Sequence, residues 1–180
     1  ERKSMEVQLE KAAQWMQEAT LATRGQGMRG DGAGSGPDPV LVRTEQLLEE
    51  VKGLSIHLPA AEALAKYVVC RRWCNKMIGL FTTAKKNHTN PELVQLEELE
   101  HEAQQLDIPD SIFCLSQLRA YIRLAKDLKE RTLKYTTTKN HRKRFPEWYQ
   151  LLEEIRALPV SLPEEQVVNQ VVEETLQWFA

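Results

Sequence analysis

Long apolar runs, paired cysteines and dispersed glycine are what this sequence has least of. No stretch approaches the ~20 consecutive apolar residues that a membrane-spanning helix requires. The opening ERKSMEVQLEK is charged and amphipathic, without the apolar centre of a secretory signal. It also lacks an initiator methionine, so the chain is expected to be a piece of a larger protein. Three cysteines, an odd number, speak for a reducing compartment rather than a disulfide framework. No Asn-Gly or Asp-Gly turn sits between alternating apolar residues, since Asp31-Gly32 lies inside a glycine-rich run. Catalytic signatures are missing as well. No His stands in H-x-D/E, His101-Glu102 is followed by Ala-Gln-Gln instead of completing H-E-x-x-H, and neither G-x-S-x-G nor a phosphate loop ending in Gly-Lys-Ser/Thr occurs. No catalytic, cofactor-binding or metal-ligating residue is therefore expected in this segment.

What is present is charge and helical periodicity. At 180 residues, 42% hydrophobic and 28% charged, the chain can form one domain with a real core or a few stacked repeats. The net charge of -2 hides an asymmetry. Six acids and no base lie between Pro91 and Ile108, while seven bases stand against one acid from Lys129 to Arg144. Two oppositely charged surfaces are expected, not a uniformly basic nucleic-acid binder.

Along the chain, residues 1–23 read as a helix with Val7 or Leu9, Ala12 or Ala13, Trp15 or Met16, and Ala19 on one stripe, the tail of a preceding unit. Residues 24–39 hold six of the eight glycines and two of the eight prolines, the composition of a flexible linker. The linker contains Arg29-Gly30-Asp31, a tripeptide known from adhesion ligands. Without a secretory signal, the plain linker is the better reading. Residues 40–180 read as a helical-repeat domain. Helices are expected over 40–52 and about 60–85. Another starts at Asn90-Pro91 and ends near Leu106, and a further one is capped by Asp110 or Ser111, with Ile112, Leu115, Leu118, Ile122, Ala125 and Leu128 recurring at i+3 and i+4. A shorter helix is expected from Phe145-Pro146 to about Leu158, and a last one opens on a Ser161/Glu164 capping box.

Two segments repeat. LLEEVKGLSIHLP at 47–59 aligns with LLEEIRALPVSLP at 151–163, an offset of 104 residues, with Leu47/Leu151, Val51/Ile155, Leu54/Leu158, Ile56/Val160, Leu58/Leu162 and Pro59/Pro163 in register. LEHEAQQLDIPDS at 99–111 falls on half that offset, with Leu106 under Leu54 and Ile108 under Ile56. A period near 52 residues implies antiparallel helical hairpins, each burying its apolar face on its neighbours, as an elongated bundle or short solenoid. The fold class is all-α. At each corner, L-x-I/V residues in extended conformation should plug the gap between two helices, and a proline such as Pro59 or Pro163 starts the next helix with a preset φ.

Two groups of residues invite a chemical reading. Cys70 and Cys74 stand four apart on a helix, as metal ligands could, but a zinc site needs about four ligands and only Cys114 and His57 could add to them. Buried apolar thiols are the better reading. In the corner register Ser161 replaces His57, which argues against His57 as a shared ligand. KNHRKRF at 139–145 is the sharpest functional signal, a cationic run between two helices. Lys139, Arg142, Lys143 and Arg144 are candidates to contact DNA phosphates, an acidic protein partner or an import receptor. A solvated loop is the better reading of a single cationic run with no sequence-reading helix.

The spacing L-x-x-V/I-x-x-L-x-I/V-x-L-P, followed by a helix closing on Trp or another aromatic, resembles the PLU-type helical region of JmjC/ARID-family histone H3 lysine-4 demethylases. Residues 47–81 carry the resemblance best and 147–180 second, and the whole resemblance extends over about two thirds of the chain. The resemblance implies a non-catalytic helical scaffold of a nuclear, chromatin-associated protein. Its partners would be other domains of the same protein, chromatin proteins and DNA through the basic loop, with no membrane. Iron and 2-oxoglutarate would belong to another domain of the parent enzyme, and no cofactor to this segment. A spectrin-like spacer without a chromatin role fits the same helices.

Overall fold

The computed structural model describes residues 2–24, 38–54, 57–137 and 145–179. Among them stand seven α-helices and no strand, so the chain is all-α. They are α1 (Arg2–Thr23), α2 (Pro39–Lys52), α3 (Pro59–Lys86), α4 (Leu93–Gln105), α5 (Phe113–Thr136), α6 (Phe145–Ala157) and α7 (Glu164–Phe179). The chain divides into two compact units, Glu1–Gly79 and Leu80–Ala180, with the division inside α3.

In the first unit, α1 and α2 form an antiparallel pair. Ala12, Trp15 and Ala19 recur at i+3 and i+4 and are buried with Leu47 of α2 and with Leu58 and Leu64 at the start of α3. The Trp15 indole N–H donates to the Leu47 carbonyl at 2.7 Å, which satisfies the one polar atom of a ring only 4% exposed. Arg43 of α2 reaches back to Glu18 of α1, so residue numbers rise on one helix as they fall on the other.

In the second unit α5 is central, with α4, α6 and α7 packed on it. Leu115, Leu118, Ile122, Ala125 and Leu128 form its buried stripe, at the i+3/i+4 spacing read from the sequence. Glu97 pairs with Lys126 at 2.8 Å and Glu100 with Arg119 at 3.1 Å, an antiparallel α4–α5 hairpin. Arg131–Glu154 and the edge-on rings of Tyr135 and Trp148 run α6 antiparallel to α5. Single members of the acid-rich and base-rich stretches thus pair with opposite charges on a neighbouring helix, Glu97 and Glu100 with α5 and Arg131 with α6.

After α1, helix lengths alternate, with 14, 28, 13, 24, 13 and 16 residues in α2 to α7. The short helices start at 39, 93 and 145, intervals of 54 and 52 residues, and these starts alone do not establish a regular 52-residue period.

The corners use their apolar residues unequally. Leu158, Val160 and Leu162 are all buried. Around 106–112 Ile108 is buried but Leu106 is 43% exposed. At the first corner Leu58 is buried and Leu54 half-buried, while Ser55 and Ile56 lie outside the described residues. Trp73 is buried, whereas Trp178 is 71% exposed and does not close the core.

Three helix starts differ from expectation, α4 through a local capping bond, and α5 and α7 because other partners claim the expected caps. α4 starts at Leu93, with the Glu92 N–H donating to Gln95 Oε1 at 3.0 Å, instead of at Asn90-Pro91. α5 is preceded by Ile112, not capped by Asp110 or Ser111, and the Asp110 carboxylate pairs with Arg119 at 2.6 Å. α7 starts at Glu164, and the Ser161 N–H donates to the Pro91 carbonyl at 2.8 Å instead of to a Glu164 side chain.

Candidate functional site

Lys139, Arg142, Lys143 and Arg144 lie outside the described residues, so the structure places their frame and not the side chains themselves. That frame is the end of α5 and the start of α6. Tyr135 and Trp148 meet edge-on with centroids 5.6 Å apart, and Phe145 lies 6.4 Å from Tyr149. One turn deeper, Arg131 grips the Glu154 carboxylate with both terminal nitrogens, and Gln150 donates to the same carboxylate at 2.9 Å. The hydrogen bond from Arg131 holds Glu154 below the usual carboxylate range, against a smaller upward push from burial. Lys129 lies 3.8 Å from Glu164. Two of the seven bases between 129 and 144 therefore face acids of α6 and α7. From Arg131 to Pro146 the sequence itself holds no acid.

The most enclosed ionic group is one the sequence reading missed. Asp38 is the residue before α2, and its Oδ1 accepts from the amides of Val40 and Leu41 at 3.0 and 3.4 Å. Pro39 follows at the first helical position, where its missing N–H costs nothing. From α3, Arg71 Nε donates to Asp38 Oδ2 at 2.6 Å and Asn75 Nδ2 to the same oxygen at 2.9 Å. The side chains of Arg71 and Asp38 are 10% and 14% exposed. Burial pushes the Asp38 carboxyl up. The hydrogen bonds from Arg71, Asn75 and the Leu41 amide outweigh it, and the pKa falls to about 2. A carboxylate held ionised by four donors is a cap and a clamp between helices, not a general acid or base. Asp38-Pro39 was the only local signal, because Arg71 and Asn75 lie 33 and 37 residues away.

Cys70, Cys74 and Cys114 are free thiols and all buried. Burial pushes the Cys70 thiol up, away from the thiolate needed for metal binding or nucleophilic attack. His57 is a surface residue 3.7 Å from Glu62. Among the described residues no three His, Cys, Asp or Glu side chains converge as a metal site, and no helix is long and apolar enough to cross a membrane.

A family model described as PLU-1-like protein matches residues 33–180. That span runs from the glycine-rich segment to the last helix. The chain belongs to the PLU-1-like protein family. The match covers the two corner units on which the resemblance to the PLU-type helical region rested. No curated protein and no solved structure matches the chain. Within this PLU-1-like segment, the described charged groups with the closest partners serve to cap helices and join them.

Proposed function

We propose that this chain is a non-catalytic helical scaffold within a chromatin-associated histone lysine demethylase, supporting catalytic and zinc-finger modules elsewhere in the longer protein. The observation that carries this reading is the PLU-1-like match over 33–180. The use of the best-enclosed charges as structural clamps supports the non-catalytic part. On this reading the parent enzyme uses iron and 2-oxoglutarate in a different domain and works in the nucleus. The test is a demethylation assay with a lysine-4-methylated histone H3 peptide, iron and 2-oxoglutarate, on the longer protein and on this chain alone. The longer protein should form product and the chain alone none. Turnover by the chain alone would overturn the proposal.

Within that scaffold, Lys139, Arg142, Lys143 and Arg144 form a phosphate-contacting segment for DNA. An acid-free stretch from Arg131 to Pro146 supports this role, because each phosphate neutralised releases counterions and makes binding steeply salt-dependent. Replacing the four bases by Gln should weaken DNA binding and flatten its salt slope. An unchanged slope across a salt titration would rule the segment out.

A further inference from the structure

Outside the clamps described so far, the α4–α5 corner combines two features. The first is exposed apolar surface away from the helix-packing faces. Leu106, directly after α4, is 43% exposed, and Phe113, the first residue of α5, is 60% exposed. They bracket the corner formed by residues 107–112. The second is charge of one sign. From Pro91 to Leu118 the sequence holds seven acids and no Lys or Arg.

Part of that charge is cancelled. Glu97 faces Lys126, and Arg119 is shared between Glu100 and Asp110. Asp110 remains 82% exposed despite its pair. Glu98 and Asp107 are exposed and have no cationic partner among the described residues. On α4, residues 98, 102 and 106 stand at i, i+4 and i+8, so Glu98 and Glu102 form a ridge that runs into Leu106. The corner itself is firmly built. Asp107 takes a left-handed φ of 50°, the Ile108 N–H donates to Ala103 O at 3.0 Å and the Asp107 N–H to Gln104 O at 3.3 Å. This is a Schellman stop that holds Leu106 and Asp107 outward while burying Ile108. An apolar pair fixed in water at the end of an acidic ridge is complementary to one kind of partner, a basic chain carrying an apolar side chain.

We propose that the α4–α5 corner docks a Lys/Arg-rich peptide segment of a partner protein. Leu106 and Phe113 receive one apolar anchor of that segment, while Glu98, Asp107 and Asp110 face its bases. The surface is argued from these residues alone and does not depend on the scaffold reading. The aromatic anchor supplies most of the affinity, and the acids supply orientation and a salt-dependent on-rate.

The experiment is a fluorescence-anisotropy titration of the 180-residue chain with a labelled Arg/Lys-rich peptide bearing one central Leu, and with its Leu→Ser counterpart. The first peptide should bind and the second should bind about tenfold more weakly. Phe113→Ser should weaken the first peptide by a similar factor with the far-UV circular dichroism unchanged. Leu106→Ser serves in its place if Phe113→Ser does not fold. Glu98→Gln combined with Asp107→Asn should flatten the salt dependence. Equal binding of both peptides, or no response to the apolar variants, would mean attraction by charge alone and overturn the proposal. Concentration-dependent self-association that the peptide does not displace would assign the surface to a second copy of this chain, and would equally overturn it.

Discussion

At residues 158–163, Leu158, Val160 and Leu162 are 6%, 2% and 4% exposed, whereas at 106–112 Ile108 is 6% exposed and Leu106 is 43% exposed. The two corners share an L-x-I/V spacing and sit in the same unit, so pattern alone does not account for the difference. Backbone partners do. The 158–163 corner is strapped by the α3–α4 connection, whose buried Pro91 accepts from the Ser161 N–H at 2.8 Å and whose Glu92 forms an isolated parallel bridge with Ser161. Extended residues held by such a strap turn alternate side chains inward. At 106–112 no strap is present among the described residues, and α4 stops by its own left-handed residue, Asp107. Only the residue after that stop is buried. One corner is a plug, and the other is a hinge with a single apolar pin.

The contrast can be broken most severely at Val160. Placing a carboxylate there by Val160→Asp puts a charge at a site only 2% exposed, and should cost about 4 kcal/mol or more in urea denaturation. A comparable loss from Leu106→Asp would erase the distinction between plug and hinge. Next in size is the polar junction of the first unit. Asp38→Ala removes a cap and leaves Arg71 buried without its carboxylate, for an expected loss of about 3 kcal/mol by the same measurement. The two kinds of junction should also differ in acid. Asp38 has a folded-state pKa of about 2 against an ordinary 3.8, so its contribution, about 2 kcal/mol, is complete above pH ~4 and is lost as pH falls toward 2. Wild-type stability should decline over that window, and Asp38→Asn should decline less. An apolar corner contributes no such slope.

Smaller effects sharpen the comparison at the hinge itself. Asp107→Gly relieves a left-handed φ of 50° and should raise stability by up to ~1 kcal/mol, seen as a higher Tm. His88, with φ of 54° at the end of α3, should respond in the same way. Leu106→Ser, at a side chain 43% exposed, should change stability by no more than about 0.5 kcal/mol.

Much of the helical fold was legible because it is periodic. The α5 stripe from Leu115 to Leu128 and the Ala12, Trp15, Ala19 stripe of α1 are spacings that a helix must bury on one side. Helix starts were less legible. Asn90, Asp110 and Ser161 are good caps by local chemistry, but Arg119 takes the Asp110 carboxylate and Pro91 takes the Ser161 amide. The Asp38 clamp was not legible because two of its partners, Arg71 and Asn75, come from α3, 33 and 37 residues away, and only the Asp-Pro start signals it locally. The basic residues Lys139, Arg142, Lys143 and Arg144 were legible as charge alone, since charge is written in composition and geometry is not.

The scaffold claim is tested most directly by amide hydrogen exchange on the longer protein that contains this segment, with and without Val160→Asp. A scaffold transmits the loss of its core to what it supports. Protection should therefore fall in the neighbouring modules as well as across α4 to α7. Loss confined to residues of this segment, with the neighbouring modules as protected as before, would contradict the account.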